Sequence, residues 1–300
     1  MKIFLTGATG YIGFNAALAL RRAGHEVWGL ARSGEKALTL SKNEIHPVLG
    51  DMQKPATYAS IAEQCSVLIH AAVDYQAGVV APDKLLTETF LNTAKRGAQP
   101  KTFIYTSGIW VNGNTGDQLV DETTPLNPLT LVAWRPAHEQ MVLNASNMRT
   151  LVLRPGCVYG KQGGLSGMWF SSAYNEKALR VIGDGNNRWA MVHADDLAEA
   201  YVRAAESNYS GEIFNIIDRS RASVREMANA IARVTNYAGE IHYVPVAEAA
   251  KTLGDFAECL AVDQHIDGRK AARLLGWQPK HGGLADGIAS YFEAWKAAQG

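Results

Sequence analysis

The stretch of the 300-residue chain most pointed toward chemistry is Thr6-Gly7-Ala8-Thr9-Gly10-Tyr11-Ile12-Gly13. Its three glycines, each three residues apart, follow a short apolar run and open an Ala- and Leu-rich segment. A glycine turn between a buried strand and a helix leaves backbone N–H groups bare at the positive end of the helix dipole, where a phosphate can approach closely. Gly7 permits the tight turn, Gly10 admits a diphosphate, and Gly13 lets helix and strand pack. On this reading Thr6, Gly7, Thr9, Gly10, Tyr11, Ile12 and Gly13 surround a dinucleotide. The next apolar run, Glu26–Ala31, leads into Arg32-Ser33. A carboxylate at its end would grip a ribose 2′-hydroxyl and repel a 2′-phosphate, but Ala31 stands there. Arg32 offers that phosphate a charge-assisted contact, and Ser33 adds a hydroxyl. The pattern favours NADP(H) over NAD(H).

The elements that must hold this loop follow from periodicity. Strand signals at Lys2–Thr6, Glu26–Ala31, Ile45–Leu49, Val67–Ala72 and Thr102–Thr106 alternate with helical stretches at Tyr11–Ala23, Thr57–Gln64 and Asp83–Lys95. Such alternation predicts a Rossmann-type, doubly wound parallel sheet in the α/β class, with a smaller C-terminal α/β lobe. A long helix is expected at Leu129–Ser146, either starting or kinked at Pro136, before a strand at Thr150–Arg154. Beyond Gly156 the rhythm loosens, with helices expected at Asp195–Ala205, Val224–Thr235 and Gly283–Ala298, and strands near Ile213–Ile216 and Ile241–Val244. Ser223-Val224-Arg225-Glu226 reads as a capping box, and Asp267 as an N-cap. The expected division is a dinucleotide-binding domain over 1–160, to which 181–212 returns, interleaved with a substrate lobe over 161–300.

The spacing Gly-x-x-Gly-x-x-Gly in TGATGYIG resembles the short-chain dehydrogenase/reductase superfamily, in its extended and atypical (epimerase/dehydratase-like) branches. Gly50-Asp51, His70-Ala71-Ala72, Arg154-Pro155-Gly156-Cys157-Val158-Tyr159-Gly160, Gly183-Asp184-Gly185 through Arg188, and Val192-His193-Ala194-Asp195-Asp196-Leu197-Ala198 continue the resemblance in order. It implies that Asp51 and Met52 lie by the adenine, Ala71 and Ala72 by the adenosine ribose, and Pro155 and Val158 by the nicotinamide.

The superfamily's usual reaction needs a Tyr, a Lys four residues later and a Ser or Thr. Aligning on Glu139 places Arg135 at the Lys position and Leu131 at the Tyr position, and aligning Val111-Asn112-Gly113 places Gly108 at the Ser position. Arg135 can hold the nicotinamide ribose as a cation but stays charged, and Leu131 has no proton to move. Substitute proton donors are Tyr159, beside the nicotinamide segment; His138, a helical turn beyond Arg135; and Asp74, next to Tyr75 on a loop that opens toward substrate in this fold. Each also reads as an ordinary packing or loop residue. Trp110, Trp134 and Trp169 are candidates for an aromatic pocket, and His193 for holding the two halves together. Two functions fit: an atypical NADP(H)-dependent reductase of a small, fairly apolar carbonyl, imine or enone, or a nonenzymatic NADP(H)-binding sensor.

Bulk properties bound the partners. Lys and Arg number 29, balanced by 29 Asp and Glu, so no basic surplus points to nucleic acid or an anionic membrane. With 47% apolar residues and no long uninterrupted apolar run, the chain reads as globular, without a membrane span. Cys65, Cys157 and Cys259 have no metal-ligand spacing, no metal is expected, and a reducing cytoplasmic setting follows. The expected partner is a small-molecule substrate. The resemblance adds a homodimer through the helices near Asp83–Lys95 and Leu129–Ser146, with Trp134, Met141 and Val142 as contacts.

Overall fold

The computed structural model describes residues 1–73, 78–96 and 100–299. Its first half runs β1 (Lys2–Thr6), α1 (Tyr11–Arg22), β2 (Glu26–Ala31), α2 (Gly34–Lys42), β3 (His46–Leu49), α3 (Ala59–Gln64), β4 (Val67–His70), α4 (Val80–Arg96), β5 (Thr102–Thr106), α5 (Arg135–Leu143) and β6 (Arg149–Pro155). Next come β7 (Cys157–Tyr159), α6 (Gly164–Tyr174), β8 (Leu179–Ile182), β9 (Met191–His193), α7 (Ala194–Glu206), β10 (Glu212–Ile216) and α8 (Val224–Val234). The chain closes with β11 (Ile241–Val244), α9 (Val246–Leu253), α10 (Phe256–Ala261), α11 (Arg269–Leu275) and α12 (Ile288–Ala297).

Seven strands form one parallel sheet in the order β10-β6-β5-β4-β1-β2-β3. This is a doubly wound Rossmann-type sheet. The order reverses between β1 and β4, which opens a crevice at their C-terminal ends. Central strands of such a sheet are covered on both faces, so their side chains are apolar without alternation. In β1, Ile3 and Leu5 pack on one side with α1 and α7, while Phe4 faces the aromatic cluster of Tyr58, Phe90 and Phe103 on the other. Two short parallel pairs, β7 with β9 and β8 with β11, lie outside the large sheet. They share a second core in which Phe170, Trp189, Ile231, Phe292 and Trp295 are buried.

Several expected boundaries shift. The long central helix divides into a 3-10 turn at Thr130–Val132 and then α5, with Pro136 in its first turn. Proline lacks an N–H and clashes with the preceding turn, so the helix starts there instead of kinking. Gly268 caps α11 in place of Asp267, whose carboxylate accepts from the Arg269 N–H two positions later. The capping box at Ser223 and Glu226 is present with both reciprocal bonds. Val142 is fully buried against the sheet side of α5 and offers nothing to a second copy, while Trp134 and Met141 are half-buried. No helix among the described residues is long and apolar enough to cross a membrane.

Candidate active site

The crevice floor is backbone. Gly7 sits at φ +78°, in the left-handed region, and a Cβ there would lie 2.6 Å from the Ala71 carbonyl carbon. At Gly13 a Cβ would overlap the Gly7 carbonyl. Gly10 caps α1 without a side-chain hydrogen bond, and the first turn has no acidic residue. By contrast α2 and α8 have hydroxyl caps, from Ser33 and Ser223. A first turn with unsatisfied N–H groups and no capping side chain suits an anionic diphosphate, so the residues present fit a dinucleotide.

Around this floor the expected contacts fall as follows. Thr9, Tyr11 and Ile12 are half-buried at the loop, whereas Thr6 is fully buried and turns its hydroxyl to His70 Nδ1 at 2.9 Å. Tyr11 donates to the Gly160 carbonyl at 2.6 Å, tying α1 to the loop after β7, and burial pushes its phenol pKa up. Arg32 and Ser33 are exposed at the end of β2. Ser33 Oγ accepts from the Lys36 N–H, which leaves its own proton to donate. Asp51 accepts from the Gln53 N–H at 2.9 Å, beside buried Met52. Ala71 and Ala72 follow β4, with the Ala71 N–H on the Thr6 carbonyl. Pro155 is buried at the end of β6, and half-buried Val158 packs on the sheet core.

Beneath β4 and β5 lies a polar centre that sequence reasoning missed. Asp83, 2% exposed in the first turn of α4, accepts from three side chains. His70 Nε2 lies 3.0 Å from Oδ1, while His138 Nδ1 at 2.6 Å and the Tyr105 hydroxyl at 2.9 Å meet Oδ2. Burial alone would raise this carboxyl's pKa, but the facing His70 charge and the hydrogen bonds from both histidines outweigh it and hold the acid well below its usual range. The overlooked signal was an acid on the same helical face as Leu86, Thr87 and Phe90, all buried. A carboxylate on an apolar face demands partners. A second buried pair, Arg154 with Glu139, is bidentate at 3.0 and 2.5 Å.

Of the expected proton donors, His138 is buried with Nδ1 committed to Asp83. Tyr159 is fully buried between His193 and Tyr291, and burial, then Asp218, pushes its phenol far above its ordinary pKa. Asp74 and Tyr75 lie outside the described residues. Arg135 opens α5 and donates to the Thr106 carbonyl at 3.0 Å, its guanidinium 4.6 Å above the Trp134 ring. The three tryptophans do not converge: Trp134 stays with Arg135 and His138, Trp110 meets Phe256, and Trp169 stacks on Trp189 at 5.1 Å. His193 caps α7 and stacks on His281 at 3.6 Å. With Asp195 they bring ligand-type atoms within 4.8 Å of one another. An ion lies in the plane of each imidazole that binds it, and two rings only 17° from parallel do not converge on one.

Residues 3–216 match the NAD dependent epimerase/dehydratase family. The chain belongs to that family. As a member of this enzyme family it resembles, at 29% identity over 269 residues (85% of this chain, 80% of the relative), a 4-hydroxy-2-methyl-3-oxo-4-farnesyl-3,4-dihydroquinoline-1-oxide ketoreductase from Stigmatella aurantiaca. A UDP-glucose 4-epimerase from Mycolicibacterium smegmatis is 26% identical, with 99% of each chain covered. The fold is also that of the UDP-glucose 4-epimerase of Thermotoga maritima, solved with UDP-glucose: TM-score 0.84, 20% identity, all of both chains covered.

Proposed function

We propose that this epimerase/dehydratase-family enzyme is an NADP(H)-dependent reductase of a small, fairly apolar carbonyl, imine or enone. The observation that carries the reading is the cleft itself. Its glycine floor accepts a dinucleotide, and at the position where the superfamily's catalytic Tyr and Lys are expected it presents Leu131 and buried Arg135. When bound, the nicotinamide supplies the hydride.

The chain's own residues have positioning roles. The bare N–H groups in the first turn of α1, from Tyr11 onward, hold the diphosphate, Arg32 and Ser33 meet the 2′-phosphate, and Asp51 and Met52 border the adenine. Ala71 and Ala72 border the adenosine ribose, while Pro155 and Val158 back the nicotinamide. Arg135 spends one N–H on the Thr106 carbonyl and directs the rest of its planar fork to the nicotinamide ribose. It moves no proton. Among the described residues neither His138 nor Tyr159 presents a proton to the cleft, so the proton for the substrate heteroatom comes from Asp74 or from water admitted with the substrate.

Two features favour an apolar substrate over a sugar nucleotide. Trp110, Leu131 and the Trp169–Trp189 stack each pack against the apolar second core, which carries few groups to answer a sugar's hydroxyls. Arg188 is held by Asp263 through Nε and one terminal nitrogen, and by Asp117, so its charge is already answered by two carboxylates. A phosphorylated ligand gains little from such a cation. Consumption of NADPH against NADH across a panel of aromatic and aliphatic ketones, aldehydes, imines and enones tests the proposal. Turnover with NADPH on apolar members is expected. Turnover confined to sugar nucleotides would overturn it.

A further inference from the structure

We infer that the buried Asp83–His138 pair is a positioning device for the nicotinamide half of the cofactor, acting through Trp134 on Arg135. The inference rests on the reading of Arg135 given above. Asp83 Oδ2 fixes His138 Nδ1 at 2.6 Å. The His138 ring meets Trp134 edge to face, with centroids 5.0 Å apart at 68°. The same indole also carries the Arg135 guanidinium, 4.6 Å from the ring centroid. Arg135 in turn reaches the Thr106 carbonyl at the C-terminal end of β5, where the cleft begins.

Each link has a physical reason. A guanidinium over an indole is held by the ring quadrupole, the more firmly the less water reaches it. That attraction has a direction only if the indole is fixed. Trp134 is half-buried and precedes the regular turns of α5, so the helix alone does not fix it. His138, one turn on, does, and His138 is itself fixed because Asp83 accepts its N–H. Asp83 cannot drift toward His138, because His70 on Oδ1 and Tyr105 on Oδ2 pull from β4 and β5. His70 is anchored in turn by Thr6, the residue before Gly7. The diphosphate floor and the ribose cation are therefore joined by one continuous chain of contacts, buried except at Trp134.

The discriminating probe pair is NADPH and 2′,5′-ADP, which carries the adenine half and 2′-phosphate alone. Calorimetric titration of Asp83→Asn should show NADPH affinity at least tenfold weaker and 2′,5′-ADP affinity within twofold of the parent. Trp134→Ala should behave alike, and serves as the test if Asp83→Asn does not fold. In an Arg135→Met background, Asp83→Asn should add nothing further, because both act through one group. If Arg135→Met leaves NADPH affinity unchanged, the reading of Arg135 fails and takes this inference with it. If Arg135→Met weakens NADPH but Asp83→Asn weakens it by the same factor in both backgrounds, only the inference fails. Equal loss of 2′,5′-ADP would mean a general lesion and would overturn it too.

Discussion

On the sheet side, the cleft is made of main chain: Gly7, Gly10 and Gly13 are shaped by what a Cβ would strike, and the ligand-facing groups are amides. The second core beside it is built of rings: Trp169 on Trp189, His193 on His281, Tyr159 between His193 and Tyr291. A backbone cradle tolerates almost no substitution and binds the same phosphate whatever surrounds it. A ring-lined wall can be repacked residue by residue while keeping its volume. One half therefore admits little change in sequence, while the other can change its side chains and keep its packing.

The contrast is sharpest at Gly13. A side chain there overlaps the Gly7 carbonyl, which is backbone and cannot rotate away. Gly13→Val should lose NADPH binding by more than a hundredfold or fail to fold. Gly10→Ala meets the same oxygen at 3.3 Å and should lose about tenfold. Calorimetry on both proteins checks this, and equal, mild losses would break the claim that main-chain contact sets the tolerance.

The ring side should instead reveal itself through pH. Burial, then Asp196 and Asp286, pushes the Asp218 carboxyl up to about 7, although the Ser220 N–H and Tyr159 work against the rise. An unfolded Asp titrates at ~4, so from there to about 7 the folded state keeps a proton that the unfolded chain releases, and stability falls as pH rises. His193 is pulled down to about 4 by burial and then by His281. Its unfolded value is ~6.5, so below that the unfolded chain binds the extra proton and stability rises with pH. The two slopes oppose each other through the same window. Asp218→Asn should uncover the rising slope and gain roughly 2–4 kcal/mol over the parent at pH 8, since each tenfold change in a proton's affinity is worth about 1.4 kcal/mol. His193→Asn, which keeps an N-cap acceptor, should uncover the falling slope. Urea unfolding at pH 5, 6.5 and 8 decides, and parental profiles in both variants would refute the opposition.

At the open rim of the backbone half, Arg32 sets a smaller effect. Arg32→Ala should reduce the NADPH-to-NADH affinity ratio by about ten- to a hundredfold, the range of a charge-assisted contact worth roughly 1.5–3 kcal/mol. An unchanged ratio would place coenzyme choice elsewhere.

The same contrast explains what could be read from residue types alone. The strand–glycine–helix unit, the parallel sheet and the family followed from local spacing, because each motif, like Gly7 and its neighbours, acts within a few residues of itself. The Asp83 centre did not, since its partners come from positions 70, 105 and 138, and nothing local marks them as neighbours. Elements of the second core were missed for a related reason. α6 is apolar on nearly every face and carries glycines at 164 and 167, so it shows no helical stripe, and β7 and β9 are only three residues long.

The smallest effect is expected at Tyr159, and it separates the two sides most cleanly. A phenol buried among His193, Tyr291 and Asp218 resembles a catalytic tyrosine in sequence, but its raised pKa reflects burial and its oxygen has no opening to the cleft. Its ring fills space that Phe would fill equally. Tyr159→Phe should therefore keep kcat and KM for any substrate found within about twofold, and shift stability by less than ~1.5 kcal/mol, the worth of a single hydrogen bond. Steady-state kinetics with NADPH settles the point. A loss beyond tenfold in kcat with KM unchanged would return the proton to this hydroxyl, and the ring wall would then carry chemistry as well as shape.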